Sequence, residues 1–273
     1  MAIESYIITN MMTALYNMIT LNLQFIILMI LVATASGLVG VFAMMRKMTL
    51  AADALSHVAL PGLGLAIIFK INPLIGGAVA LFLGAILIWF LERKTEIPTE
   101  TVIGVIFSAS LAIGSLLTSG EELIDALFGG SGGVNGWQFL IGILGAIFVI
   151  TFILLQKERL TLALVSKDLA TVLGIHVSRL DLIFLMVFAL NVILGLQFLG
   201  ALLMGSLIIV PAAIGRNLAS SLNGALCISV ISAIFSVLVG FLISQIYSLD
   251  LGPIIISVAA SLFLLSLLKK GLH

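Results

Sequence analysis

The sequence predicts an all-α membrane protein, a polytopic bundle of about nine transmembrane helices, and three observations predict it. Of its 273 residues 62% are hydrophobic and only 9% charged, whereas a soluble chain is roughly a quarter charged. Apolar runs of span length recur from end to end. The few charges fall almost entirely between those runs. Lys+Arg number 12 and Asp+Glu number 12, so the net charge is zero. That excludes a nucleic-acid binder resting on a basic field and a solvating acidic tail. A lone cysteine, Cys227, cannot form an internal disulfide.

A helix needs about 20 apolar residues to cross the hydrocarbon core. The predicted spans are 24–45, 50–69, 73–92, 99–118, 136–156, 180–197, 199–217, 222–247 and 253–269. Nothing outside them is long enough for a soluble domain, so 1–273 reads as one transmembrane domain. Residues 1–23 are apolar but studded with Asn10, Asn17, Thr20 and Asn22, without a basic start or a small-residue cleavage site. They are expected to form an interfacial helix rather than a signal peptide.

Orientation follows from Lys and Arg, which favour cytoplasmic loops. One set of alternating loops carries Arg46, Lys47, Arg93, Lys94, Lys157, Arg159, Lys167, Arg179, Arg216, Lys269 and Lys270; the other carries Lys70 alone. The N-terminus is therefore expected outside and the C-terminus in the cytoplasm. The sixth and seventh spans nearly abut, so a broken element is expected near residue 198. The outer stretch 119–135 carries Glu121, Glu122 and Asp125 and then a glycine-rich run. It reads either as a flexible turn or as an acidic funnel for cations.

Small residues recur at a spacing of four: Ala33 and Gly37, Ser36 and Gly40, then Gly76, Ala80 and Gly84. Such rows let helix backbones approach closely.

One carboxylate lies well within a span: Asp53, with His57 four residues later. An ionisable group at membrane depth is costly and by default functional. Positions i and i+4 share a helix face, so an oxygen and a nitrogen donor form half of a divalent-metal site. Pro61 has no N–H for the carbonyl of His57, which places a kink at the same turn. The competing reading is interhelical glue, in which Asp53 and His57 bond each other or neighbouring helices. Zinc usually takes four ligands, so other spans or a second subunit must contribute. Asn191, Gln197 and Gln245 are available in other spans, but no further carboxylate or imidazole is. A two-fold axis beside the second span would join two Asp and two His. His176 and His273 are expected to be solvated, and Cys227 to be a small buried apolar residue.

The longest cytoplasmic loop, about 157–179, holds a capped helix: Ser166 as cap, Asp168 in the first turn, Gly174 just past the end. Leu169, Val172 and Leu173 make an apolar stripe on it. That stripe either lies on lipid or docks a cytoplasmic partner. The chain has no G-x-x-x-x-G-K-S/T segment, no His-Glu-x-x-His helix and no serine with a plausible base. It therefore reads as a transport subunit and not an enzyme.

Four stretches resemble the zinc/manganese permease family of ABC importers. They are Arg46 to Leu50 with Asp53–Ala54–Leu55–Ser56–His57 and Leu60–Pro61–Gly62; Ser166–Lys167–Asp168–Leu169–Ala170 with Leu173–Gly174–Ile175; Phe198 to Leu203 through Ile208 to Ala213; and Gly252–Pro253–Ile254–Ile255. The resemblance implies a type II ABC importer permease fold in a bacterial cytoplasmic membrane. It implies a dimer, expected to be a homodimer, with its pathway on the two-fold axis. Asp53 and His57 of each subunit would ligate the passing zinc or manganese, or ferrous iron, with no permanently bound cofactor. The segment Ser166, Lys167, Asp168, Leu169, Ala170, Val172, Leu173 and Gly174 would sit in a cleft of a partner ATPase dimer. An extracytoplasmic receptor would deliver the metal. The alternatives are a permease for a siderophore or cobalamin-like chelate, and a proton-coupled secondary transporter.

Overall fold

The computed structural model describes residues 23–95, 97–117, 136–199 and 201–270, without the side chains of 49, 50, 52, 53, 197–199, 201, 202, 269 and 270. The expected interfacial helix at 1–23 lies outside them up to residue 22, as does the acidic stretch 119–135. The described residues form ten helices. They are α1 (Leu23–Met45), α2 (Thr49–Ile68), α3 (Pro73–Lys94), α4 (Thr99–Leu117), α5 (Gly136–Val165), α6 (Lys167–Val172), α7 (Val177–Leu199), α8 (Ala201–Leu218), α9 (Leu222–Tyr247) and α10 (Leu251–Lys270). Among the described residues, seven helices are long and apolar enough to cross a membrane. The described parts of α2 and α8 are shorter apolar stretches, Ala54–Ile68 and Leu203–Leu218. Helix is the expected form, because a backbone in hydrocarbon must satisfy its own hydrogen bonds.

Local chemistry sets the ends. Asn72 caps α3 by accepting from the Leu74 amide at 2.9 Å, with Pro73 in the first turn. Ser221 caps α9 by accepting from the Gly224 amide at 3.2 Å. After α1 the chain turns through Lys47, held in the left-handed region at φ 57°. The amides of Lys47 and Met48 close back on the carbonyls of Met44 and Ala43 at 3.1 and 2.9 Å. This paired closure satisfies carbonyls that a helix end would otherwise orphan.

Two boundaries differ from expectation. The fifth span does not stop at 156; α5 runs on to Val165. Gln156 to Val165 contains no Gly or Pro, and good helix formers dominate it. The expected loop 157–179 therefore shrinks to α6 and its flanking turns, and α7 begins at Val177. Cys227 is exposed, not buried, because its position on α9 turns away from the neighbouring helices. At the break expected near 198, residue 200 lies outside the described residues; α7 is described to Leu199 and α8 from Ala201.

Helix α1 occupies the middle of the bundle, against α5, α7, α8 and α9. Small residues set these contacts. A Cβ at Gly40 would overlap the carbonyl of Ile208 on α8, and one at Gly37 would stand 3.1 Å from the carbonyl of Ser229 on α9. Polar bonds add to the packing: Ser229 Oγ donates to the Gly37 carbonyl at 2.8 Å, and Asn191 Nδ2 donates to Ser36 Oγ at 3.1 Å. Helices α2 and α3 form a hairpin whose backbones touch, since a Cβ at either Gly62 or Gly76 would overlap the carbonyl of the other. Gly84 receives Val58 and Ala80 faces Gly62, so the predicted small-residue row of α3 is the seat of α2.

Candidate functional site

Helix α2 carries the candidate ligands. It packs on α3, α4 and α8, and Leu55, Val58, Ala59 and Leu60 are buried in those contacts. His57 and Pro61, one turn apart, are only half-buried, and Leu65 and Ile68 further along are exposed. These four positions follow the helical repeat, so the described helices leave a stripe of α2 partly uncovered. Asp53 belongs to α2 four residues before His57, which puts it in register with that stripe; its side chain lies outside the described residues.

The wall beside His57 is α4. The imidazole meets the ring of Phe107 edge-on, with centroids 5.3 Å apart and planes at 65°. One turn and more further on, a Cβ at Gly114 would stand 2.7 Å from Leu60 Cβ and 3.5 Å from the Pro61 nitrogen. A larger residue at 114 would push α4 off the proline turn. Helix α2 stays continuous through Pro61, whose ring nitrogen has no hydrogen to offer the carbonyl of His57. Phe107 and Gly114 were not singled out from the sequence. Their spacing of seven within an apolar span was the available signal, because such positions share a helix face.

Of the other candidate ligands, Asn191 and Gln245 do not converge here, and the side chain of Gln197 lies outside the described residues. Asn191 bonds Ser36 in the α1–α7 contact, and Gln245 is exposed on α9. Among the described residues, no three of His, Cys, Asp and Glu stand close enough to hold a metal ion. The chemistry of a hard carboxylate oxygen with a borderline imidazole nitrogen suits zinc, manganese and ferrous iron better than copper(I).

A second constellation sits on α6. Ser166, in extended conformation at φ −154°, accepts from the Leu169 amide at 3.2 Å. Asp168 stands in the first turn, where a negative charge is favoured. Gly174 takes φ 79°, and the amides of Gly174 and Ile175 close on Thr171 and Ala170 at 3.0 and 2.9 Å. A side chain at 174 would be strained there. Ala170 is fully buried and seats the helix on α5 and α7. Lys167 and Asp168 are exposed. Leu169, Val172 and Leu173 are 49%, 82% and 63% exposed, so the predicted apolar stripe faces outward. His176 is exposed, as expected, and lines a cavity of about 490 Å³ between α5, the turn that follows α6 and the start of α7, together with Gln156, Arg159 and Leu180.

Comparison with known proteins adds an independent line. The model of the ABC 3 transport family matches residues 18–270. The high-affinity zinc uptake system membrane protein ZnuB of Haemophilus influenzae is 32% identical over 237 residues, covering 85% of this chain and 90% of that protein. The manganese transport system membrane protein MntC of Listeria monocytogenes is 29% identical over 248 residues, covering 88% and 89%. Among solved structures, PsaBC from Streptococcus pneumoniae in complex with Fab superimposes with a TM-score of 0.80 at 27% identity, over 93% of this chain and 94% of that one. An inward-facing structure described as a metal-chelate type ABC transporter superimposes with a TM-score of 0.73 over 98% of both chains. At 16% identity that second likeness concerns the fold alone.

Proposed function

The chain belongs to the ABC 3 transport family, and from that premise we propose that it is the permease subunit of an ATP-driven importer that carries zinc or manganese into the cytoplasm. One observation carries the reading: His57 stands half-buried on a partly uncovered stripe of α2, in register with Asp53. Relatives named for zinc uptake and for manganese transport support a divalent-metal cargo, with ferrous iron as a third candidate.

The mechanism follows from the donor set. Asp53 supplies charge and oxygen, and His57 supplies neutral nitrogen. A carboxylate at membrane depth is costly while the site is empty, and a dication offsets that cost. Two donors fall short of the four that zinc prefers. A second copy, meeting the first across the uncovered α2 and α4 faces, completes the set with its own pair. Nine helices cross the membrane in this reading, with the N-terminus outside. A receptor on the outer side delivers the ion. An ATPase dimer takes α6 in a cleft, and its closure switches the side from which the pair is open.

The test is uptake of radioactive zinc and manganese into proteoliposomes that hold the permease, its ATPase and its receptor. Asp53→Asn and His57→Ala are expected to abolish uptake while the complex still assembles. Wild-type uptake by both variants would overturn the ligand assignment. Uptake by the permease without ATPase would favour the proton-coupled alternative, and uptake of intact chelate but not of free metal would favour the siderophore or cobalamin class.

A further inference from the structure

The corner between α1 and α2 is fastened to the start of α7. Arg46, between the two helices, places Nη1 2.7 Å from Asp181 Oδ1, with the two side chains 9% and 25% exposed. Its guanidinium carbon lies 4.5 Å from the centroid of the Phe184 ring. Asp181 and Phe184 belong to the first turns of α7, shortly after Gly174 ends α6. A second fastening joins the same turns to α3. Trp89 Nε1 donates to the Ser178 carbonyl at 3.0 Å, and Arg93 donates to Ser178 Oγ. The start of α7 is thus held on one side by the entrance to α2 and on the other by the far arm of the α2–α3 hairpin.

These contacts form a continuous mechanical chain. Ala170 seats α6 on α5 and α7, and the turn closed at Gly174 leads within three residues into α7. A movement of α6 therefore reaches the first turns of α7. From there it reaches Arg46, which lies seven residues before Asp53 on the way into α2. We infer that the Arg46–Asp181 pair is the joint that passes movement of α6 to the helix bearing Asp53 and His57; this rests on the permease reading. A desolvated ion pair is rarely a net source of stability compared with apolar replacements, and fixing register or switching is its best-attested use. Arginine suits the joint because its planar group stacks on Phe184 while bonding the carboxylate, which a lysine ammonium does not reproduce.

The experiment uses the complete importer in proteoliposomes and reads metal uptake and ATP hydrolysis in parallel, with zinc and manganese as probes. The double variant Arg46→Met, Asp181→Leu is expected to assemble, to unfold at nearly the wild-type temperature and to hydrolyse ATP. Ions moved per ATP should fall by about tenfold, the scale of a coupling between distant sites. Arg46→Lys, which keeps the charge but not the stack, is expected to fall between the two. Wild-type ions per ATP in the double variant would overturn the inference. So would a parallel loss of hydrolysis, uptake and thermal stability, which marks a structural pair. The two readings fail separately: no uptake by the wild-type complex defeats the permease reading, whereas wild-type uptake lost in His57→Ala but normal in the double variant defeats only the joint.

Discussion

A hydrogen atom in place of a methyl group decides how closely the site helix approaches its neighbour. Gly62 and Gly76 each occupy a place where a Cβ would overlap the other's carbonyl. Gly104, on α4, has nothing within 4 Å of that place. Gly62→Val should therefore cost about 1–3 kcal/mol through overpacking and separate α2 from α3. Gly104→Ala should be neutral or gain up to about 1 kcal/mol from helix propensity. Thermal unfolding of the purified permease in detergent checks both, and equal midpoints for the two variants would contradict the packing described. Neither difference was legible beforehand. The row Gly76, Ala80 and Gly84 marked a close approach, but Gly62 and Gly104 read alike, and the neighbour that makes one irreplaceable comes from another helix.

At the scale of elements, α6 is the part whose sequence and structure agree most closely. Ser166 and Gly174 act through bonds to residues within five positions, and Asp168 through its charge in the first turn, so a linear reading finds them. The outward turn of Leu169, Val172 and Leu173 followed from the helical period. That Ala170 alone is sealed against the bundle did not. Leu169→Asp would place a carboxylate in the apolar stripe and is expected to leave the permease folded, since the position is half exposed. It should separate ATP hydrolysis from uptake or weaken ATPase capture. Normal uptake with unchanged co-purification of the ATPase would show that α6 does not dock it. The extension of α5 to Val165 escaped the reading by span length, because hydropathy marks where a helix leaves the lipid and not where it ends. The charges Lys157, Glu158 and Arg159 are as compatible with helix as with loop.

For the whole molecule, the prediction concerns the stripe of α2 that the described helices leave partly uncovered. Helix α4 packs on α2 and α3 among the described helices, and Val105, Leu111, Ile113 and Leu116 along it are exposed. A second copy apposed there would bring the two Asp53–His57 pairs together. Asp53→Cys, in a chain whose exposed Cys227 has been changed to Ala, is expected to cross-link between subunits under mild oxidation in membranes. A chain that stays monomeric on a denaturing gel, while an unrelated cysteine pair in the same membranes oxidises, would argue against an axial site.

The class of the protein, its apolar spans, the capped helix and the Asp53–His57 spacing were all determined by the sequence, because each depends on hydropathy or helical period within about 20 neighbouring residues. Only the tertiary structure decided that α4 stands against His57 and Pro61 through Phe107 and Gly114, that Asn191 belongs to a helix contact, and that Asp181 holds Arg46. The physical reason is that these helices are similarly apolar and lipid is as apolar as leucine. No hydrophobic gradient then tells one helix which other to meet. Small residues and a few polar bonds make that choice, and their partners lie on other helices, in the case of Ser229 and Gly37 192 residues away along the chain.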